Sequence, residues 1–413
     1  MSPRLVLIIL FILFLILTIR IFSFYKSVYE YPEGSVIAWQ TKVMTAPKLK
    51  MNGQQVTLNM PNHQRVIVRF GLNPLLSYGD RINLKGEVSY FTTEKGDRIA
   101  FMSYPDFDLL EKGSENNLIL KFREEIINFF NSSLPLTYSA LMLGIVFGIK
   151  EEMPPDFYLD LQRTGLMHVI AASGMNITML GGFLSAGLIL FFRRQVAIYL
   201  SVIGIIIYAV MAGMEPSIVR AAIMGILVFL AQLTGRQSSA FLMLFLAGFI
   251  MLMRSPNLIF DIGFQLSFLA TFGLIYLRPI FSYIPKIKNA FKKTVIWEDL
   301  TTTLTAQVMT LPILLFNFGN YSFVSIPVNA IVLWSVPFLM IIGGASAIIS
   351  IIFEPFGRLI LYLSVPLLLY FTKIVEVFGN FPGQVEIKSL PFVFILGYYL
   401  IILGIIFFLR SRK

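Results

Sequence analysis

The sequence predicts a polytopic α-helical membrane protein with a small water-facing β domain near its N terminus. Three observations predict it. Of 413 residues, 56% are apolar and only 14% carry Asp, Glu, Lys or Arg, which is more apolar surface than a water-soluble core can hide. From residue 167 onward the apolar residues run in stretches close to the ~20 that cross a bilayer. Between residues 25 and 117 the pattern shifts to short alternating segments broken by turn residues.

The first element is the apolar run Leu5 to Ile19, held between Arg4 and Arg20. It is long for a signal-peptide core, and no small-x-small cleavage pattern follows at Ser23 to Lys26. Residues 1–24 are therefore expected to stay as a membrane anchor. In 25–117, strands are expected at Val56–Asn59, Val66–Phe70, Arg81–Val88 and Ile99–Met102. Turns fall at Asn52-Gly53 and Lys95-Gly96-Asp97. Tyr78-Gly79-Asp80 ahead of an alternating strand resembles the middle of an OB-type barrel, and several short strands in so short a stretch suit one. Basic residues lead its first half: Lys42, Lys48, Lys50, Arg65 and Arg69.

Residues 118–166 form the next division. Leu118 to Asn131 reads as an amphipathic helix with Lys121, Arg123, Glu124 and Glu125 on its polar side, suited to lying along a membrane surface. Leu136 to Ile149 is too short to cross, and Pro154-Pro155 follows, so 136–166 is expected to be re-entrant or interfacial. The division 167–413 is membrane. Spans are expected at 167–192, 195–213, 217–234, 238–253, 263–284, 301–317, 323–353, 356–379 and 391–409. The run 323–353 is too long for one straight span and carries Pro327 and Pro337, so it is expected to be broken or strongly tilted. With the anchor, these give about ten crossings.

The formal net charge is +10, and its distribution orients the spans. Arg193-Arg194, Arg236, the group from Arg278 to Lys293, Arg358 and the C-terminal Arg410, Arg412 and Lys413 fall in alternate connections. The positive-inside rule places these and both termini in the cytoplasm, and the β domain outside. The expected location is the cytoplasmic membrane.

Several chemistries find no residues to carry them. Cysteine is absent and there are only two histidines, His63 and His168. No Walker A sequence, no HExxH and no array of acids occurs. No metal, no cofactor and no enzymatic activity is expected.

Polar groups nonetheless interrupt the apolar helices. Arg163-Thr-Gly-Leu-Met-His168-Val-Ile-Ala-Ala-Ser173-Gly174-Met-Asn176 stands at the entrance of the run that continues to Phe192. Such groups are costly in hydrocarbon and usually face a cavity or pathway. Arg220 lies one turn inside another helix, where it must snorkel, pair or face water. Asp261, Gln265 and Ser267 open a third, where Asp261 alone also reads as an N-cap. Gln307, Asn317, Asn320 and Asn329 add polar groups later. His168 and Ser173 invite a hydrolase reading, but five positions apart on one helix they point to different faces, and Ser173-Gly174 equally suits close helix approach. Taken together, Arg163, His168, Ser173, Asn176, Arg220, Asp261 and Gln265 are expected to line one polar vestibule at the outer helix ends, with Asp261 balancing Arg163 or Arg220.

At these residues the chain resembles the ComEC family of competence proteins. The family pattern H-L-L-A-I-S-G-L-H is matched by His168 to Asn176, and Arg163-Thr164-Gly165 matches ahead of it. Ser217 to Ala221, Asp261 to Phe268, and Phe316 to Gly319 followed by Pro327 and Asn329 match in order. The resemblance implies a channel passing single-stranded DNA inward across the cytoplasmic membrane in natural transformation. It implies DNA and membrane lipids as partners, together with an outer DNA receptor, a separate nuclease, and a cytoplasmic ATPase or DNA-binding protein. Lys42, Lys48, Lys50, Arg65 and Arg69 would then be candidate DNA contacts. Two departures stand out: Asn176 occupies the place of the family's second His, and the chain is expected to be a form lacking the metallo-β-lactamase-like domain that follows in many members. A secondary transporter of a small solute, and a membrane-embedded hydrolase, remain the rival readings.

Overall fold

The structure is a computed structural model. It describes residues 3–43, 47–50, 53–92, 98–113, 118–149, 153–170, 174–281, 295–381, 384–386 and 391–411. The chain divides into two compact units, Met1–Ser132 with Ala209–Met214, and Ser133–Tyr208 with Glu215–Lys413. The division falls inside the 118–166 stretch that the sequence treats as one segment.

The first unit opens with α1 (Pro3–Ser27). Its apolar stretch Ile8–Ser27 is long enough to cross a bilayer, and Phe11, Phe14, Ile19 and Phe22 are exposed around it. A helix apolar on every side gains nothing from water on any face. Eight strands follow: β1 (Val36–Lys42), β2 (Lys48–Lys50), β3 (Gly53–Asn59), β4 (Arg65–Phe70), β5 (Arg81–Glu87), β6 (Ser89–Thr92), β7 (Arg98–Ser103) and β8 (Asp106–Glu111). They form one sheet in the order β2-β3-β4-β7-β6 and another in the order β1-β5-β8. Only the β4–β7 pair is parallel; the rest are antiparallel.

Alternation builds the core between the sheets. Val66, Val68 and Phe70 of β4 point inward with Val56 and Leu58 of β3, Ile82 and Leu84 of β5 and Met102 of β7. Phe70 meets Phe107 edge-on at 4.8 Å. β3, β4, β5 and β7 lie on the four segments the alternation predicts. β1, β2, β6 and β8 are additional. β8 escapes a pattern reading because Asp106 and Asp108, poor strand formers, occupy its outward positions. The expected turns at Asn52 and Lys95-Gly96-Asp97 lie outside the described residues.

Two buried side chains hold the connections. Gly79 has φ +97°, a turn conformation that suits glycine. Beside it the Asp80 carboxylate accepts from the Ser77 and Gly113 amides at 2.7 and 2.9 Å. Gln54, fully buried, donates to the carbonyls of Gly71 and Pro74 at 3.0 and 2.7 Å, and accepts from Leu76 N–H at 2.9 Å. α2 (Leu118–Ser133) closes the unit. Leu120, Ile126, Phe129 and Phe130 are buried on its apolar face. Arg123, expected on the polar side, is buried as well and donates Nε–H to Met211 O at 3.0 Å.

The second unit is helical: α3 (Leu136–Phe147), α4 (Pro155–Arg163), α5 (Met167–Ile170), α6 (Gly174–Ile189), α7 (Arg194–Met211, whose last turn counts with the first unit), α8 (Pro216–Leu233) and α9 (Ala240–Arg254). A 3₁₀ turn (Pro256–Phe260) leads to α10 (Ile262–Tyr276), α11 (Arg278–Phe281) and α12 (Val295–Phe318). Then come β9 (Asn320–Ser322), α13 (Ser325–Val332), α14 (Ser335–Ile352), α15 (Glu354–Tyr362), α16 (Val365–Gly379), β10 (Gln384–Glu386) and α17 (Phe392–Ser411). β9 and β10 pair antiparallel.

Among the described residues, five helices are long and apolar enough to cross a membrane, or six if α15 and α16 count as one bent span. That is fewer than the crossings expected from sequence. α9 and α10 have 15 residues each, short of the ~20 a span needs. The run 323–353 is broken as expected: Pro327 and Pro337 each sit in the first turn of a new helix, where a missing N–H costs least. The run 356–379, expected as one span, bends by 48° between α15 and α16. Pro366 explains it, since it has no N–H to give the Tyr362 carbonyl and its ring crowds that carbonyl in a continuous helix. The short α3 is buried from Ser139 to Phe147 and packs on α5, α14 and α16, so it lies within the unit and not along a surface.

Replacing Gln54 with Ala leaves two carbonyls and an amide of the 71–76 loop without partners. The expected cost is about 1–3 kcal/mol or more. It would be read as a lower unfolding midpoint of the purified chain and faster proteolysis within 71–77.

Candidate functional site

The expected polar residues of the second unit fall into three groups, each tied by its own contacts. The first surrounds the end of α3. Gly148, in left-handed conformation at φ +72°, terminates that helix and donates to Gly144 O, while Ile149 N–H reaches back to Leu143 O. This closes the backbone as a Schellman motif does and leaves the carbonyls of the last turn to find other donors. Asn176 Nδ2 supplies Ile145 O at 2.8 Å, and Tyr208 Oη supplies Val146 O at 2.7 Å. Both side chains are buried. Gly144 permits the contact on the other side: a Cβ there would lie 2.4 Å from Ile170 of α5.

The second group is Arg220. It lies in the second turn of α8 and is only 8% exposed. Nη1 donates to Ser267 O at 2.5 Å and to Thr271 Oγ1, both on α10. Nη2 lies against Gly174, the first residue of α6, where a Cβ would sit 2.6 Å from it. One guanidinium thus joins the start of α6 to α8 and α10. Nε has no partner.

The third group is the turn from α4 to α5. Arg163 is exposed and pairs with Asp160 at 3.6 Å, while its carbonyl accepts from Ser322 Oγ at 2.5 Å. Gly165 has φ +70°, and a Cβ there would meet Ser325 at 2.5 Å, so both backbone and space demand glycine. His168 Nδ1 is 2.9 Å from Gly165 O. A carbonyl only accepts, so Nδ1 carries the hydrogen and Nε2 is the remaining nitrogen on an exposed ring. Ser325 Oγ accepts from Gln307 Nε2 at 3.0 Å and donates to Ser322 O at 2.7 Å. Asn329, one turn along α13 from Ser325, is buried with neither amide atom partnered.

Asp261 corrects an expectation. It caps α10, accepting from Phe264 N–H at 3.0 Å, and Gln265 Nε2 donates to Ile259 O at 2.9 Å. Arg163 takes Asp160 as its carboxylate, and the donors of Arg220 go to a carbonyl and a hydroxyl, so Asp261 balances neither. The reason is position: a residue just ahead of a helix has its oxygen committed to the free amides of the first turn. Ser173 lies outside the described residues, as do the side chains of Lys48 and Lys50. Tyr208, Thr271, Ser322, Ser325 and Asp160 complete the three groups without having been singled out. Thr271 had a signal, a hydroxyl one helical turn after Ser267 in an apolar helix; Tyr208 had none, being one aromatic among many. Among the described residues, no group of three or more His, Asp or Glu is placed to hold a metal.

The class is therefore a mostly helical protein whose apolar helices reach membrane-spanning length, hold buried polar groups at broken helix ends, and follow a small β unit. The chain belongs to the competence protein family, whose pattern matches residues 145–413. It is 28% identical over 247 residues to the ComE operon protein 3 of Bacillus subtilis (strain 168), a match covering 58% of this chain and 30% of that protein. It is 25% identical over 315 residues to an uncharacterized protein of Aquifex aeolicus (strain VF5), covering 74% of this chain and 68% of that one. The chain thus spans about a third of the length of the first of these relatives.

Removing the donors at the end of α3 separates their contributions. Asn176→Leu leaves Ile145 O buried and unpaired, at an expected cost of about 1–3 kcal/mol, and Tyr208→Phe a smaller ~0.5–1.5 kcal/mol. Thermal unfolding in detergent measures both. Because they serve one helix end, the double variant is expected to depart from additivity.

Proposed function

We propose that this chain is a multi-pass protein of the cytoplasmic membrane that passes single-stranded DNA inward during natural transformation. Membership of the competence family supports the process. The observation that supports the substrate is Arg220. It is a buried guanidinium with no carboxylate partner among the described residues, set against the start of α6. Burying a cation without an acid is strongly unfavourable, and the N-terminal end of a helix adds positive potential. A phosphate group arriving there supplies the missing charge, and a phosphate contact carries no sequence preference.

On this reading Arg163, His168, Arg220, Asp261 and Gln265 line one outward polar vestibule, Asn176 holds the helix end behind it, and the shorter apolar helices complete about ten crossings. The β unit is an OB-type barrel outside the membrane. Its strand order supports this: β4 runs parallel to β7, and β1 pairs with β5. The chain acts as a channel and not as an enzyme. An outer DNA receptor, a separate nuclease and a cytoplasmic ATPase or DNA-binding protein serve as its partners.

Two experiments test the reading. Arg220→Ala is expected to cut DNA uptake at least about tenfold, the effect of removing one buried charge-assisted hydrogen bond, with membrane insertion unchanged. Uptake at the wild-type level would sink the phosphate role. Ser173→Ala is expected to be mild, whereas a hydrolase would lose its activity. The absence of native cysteine makes single-Cys labelling clean. Pro61→Cys is expected to label from outside and Gln237→Cys only after the membrane is opened; the reverse pattern would overturn the topology.

A further inference from the structure

The outward face of the five-stranded sheet is unlike a water-facing sheet surface. Such faces are normally polar at every second position. Here Ile67 of β4 stands beside Phe101 of β7, and Phe91 of β6 stands across from Ile99. Phe91 and Phe101 lie 6.2 Å apart and nearly perpendicular, at 81°, so each ring offers a separate face. Phe91 is 43% exposed. Arg65 and Arg69 flank this apolar strip on β4, with neutral Asn59 and Gln55 opposite them on β3. The Arg69 guanidinium lies over the Phe101 ring at 5.6 Å. None of β3, β4, β6 or β7 contains an Asp or Glu, whereas β8 of the other sheet carries Asp106, Asp108 and Glu111.

We propose that the outward face of β4, β7 and β6 is a seat for the bases of single-stranded DNA, with Phe101 and Phe91 stacking on bases and Arg65 and Arg69 holding phosphates. The inference rests on the uptake reading for its choice of ligand. The chemistry is that of a strand-tracking surface: flat rings accept any base, cations neutralise the backbone, and β3, β4, β6 and β7 themselves carry no acid. The sharing of work is specific. The rings contribute a salt-independent, base-dependent part of binding, and the arginines a salt-dependent, base-independent part.

The test uses the full chain in nanodiscs with two probes, a labelled oligothymidylate and an abasic oligonucleotide of equal length, titrated over a range of salt. The wild-type chain is expected to bind the oligothymidylate roughly tenfold or more tighter, the scale of base stacking on aromatic rings. Phe91→Leu with Phe101→Leu, which keeps apolar bulk but removes the π faces, is expected to abolish that preference and leave the salt slope unchanged. Arg65→Gln with Arg69→Gln is expected to keep the preference and lower the slope by about 0.7 for each phosphate that is no longer neutralised. Equal binding of the two probes by the wild-type chain would overturn the seat even if every variant misfolded, and so would a preference that survives the Leu variant. A deletion strain tested for transformation separates the two ideas. Blocked transformation with no base preference removes the seat and keeps the uptake reading; normal transformation with an intact preference removes uptake and keeps the seat.

Discussion

A helix that ends inside an apolar protein must bring its own hydrogen-bond donors with it. This constraint governs the second unit, because its helices break repeatedly: at Gly148, at Gly165, ahead of Pro327 and Pro337, and between Tyr362 and Val365. In water the last carbonyls of each would be solvated at no cost. Buried, each unsatisfied group costs on the order of a few kcal/mol. The chain answers locally. Asn176 and Tyr208 serve α3, the Thr164 hydroxyl serves Asp160 O at 2.8 Å, and Ser335 and Ser364 donate to Val332 O and Leu361 O at the breaks before α14 and α16. The polar residues that look anomalous in an apolar sequence are largely the donors these breaks require.

Against that background Arg220 and Asn329 stand apart. Asn176, Gln265 and Thr271 each end on a named backbone oxygen, so a structural role accounts for them. Among the described residues the amide of Asn329 has no partner, and Arg220 carries a full charge with one donor nitrogen left over. Capping explains groups that are satisfied. It does not explain a buried cation whose partners are a carbonyl and a hydroxyl, both weak substitutes for an anion. That residue of unexplained charge is the observation on which the proposed pathway rests.

Legibility from the sequence followed the range of the interactions. The β unit was readable where residues alternate strictly, as in Arg65 to Phe70, and unreadable where Asp106 and Asp108 contradict strand propensity. The break at 323–353 was visible because two prolines mark it. The bend between α15 and α16 was missed although Pro366 marks it equally, because the apolar run on either side outweighs one residue in a hydropathy reading. At the site, the residue types were legible and their partners were not. Arg163 to Asp160 is a local pair at helical spacing, but Arg220 meets Ser267 and Thr271 across 47 and 51 positions, and Asn176 meets Ile145 across 31. Pairings of that range belong to the packing of helices, and no local pattern encodes them.

The exchange of the family's second His for Asn at position 176 now has a physical meaning. In this fold the position supplies a hydrogen-bond donor to Ile145 O. A neutral imidazole meets that demand with one N–H, and so does a carboxamide. A carboxamide cannot take a proton near neutral pH, so a role in proton transfer or metal ligation would vanish with the exchange, whereas a capping role would survive it. His168 points the same way, since its Nδ1–H is already held by Gly165 O. The two positions that most resemble catalytic machinery in the sequence are the ones whose geometry is best accounted for by holding a broken helix closed. On the proposed uptake reading the chemistry of the site is electrostatic, and Arg220 supplies it.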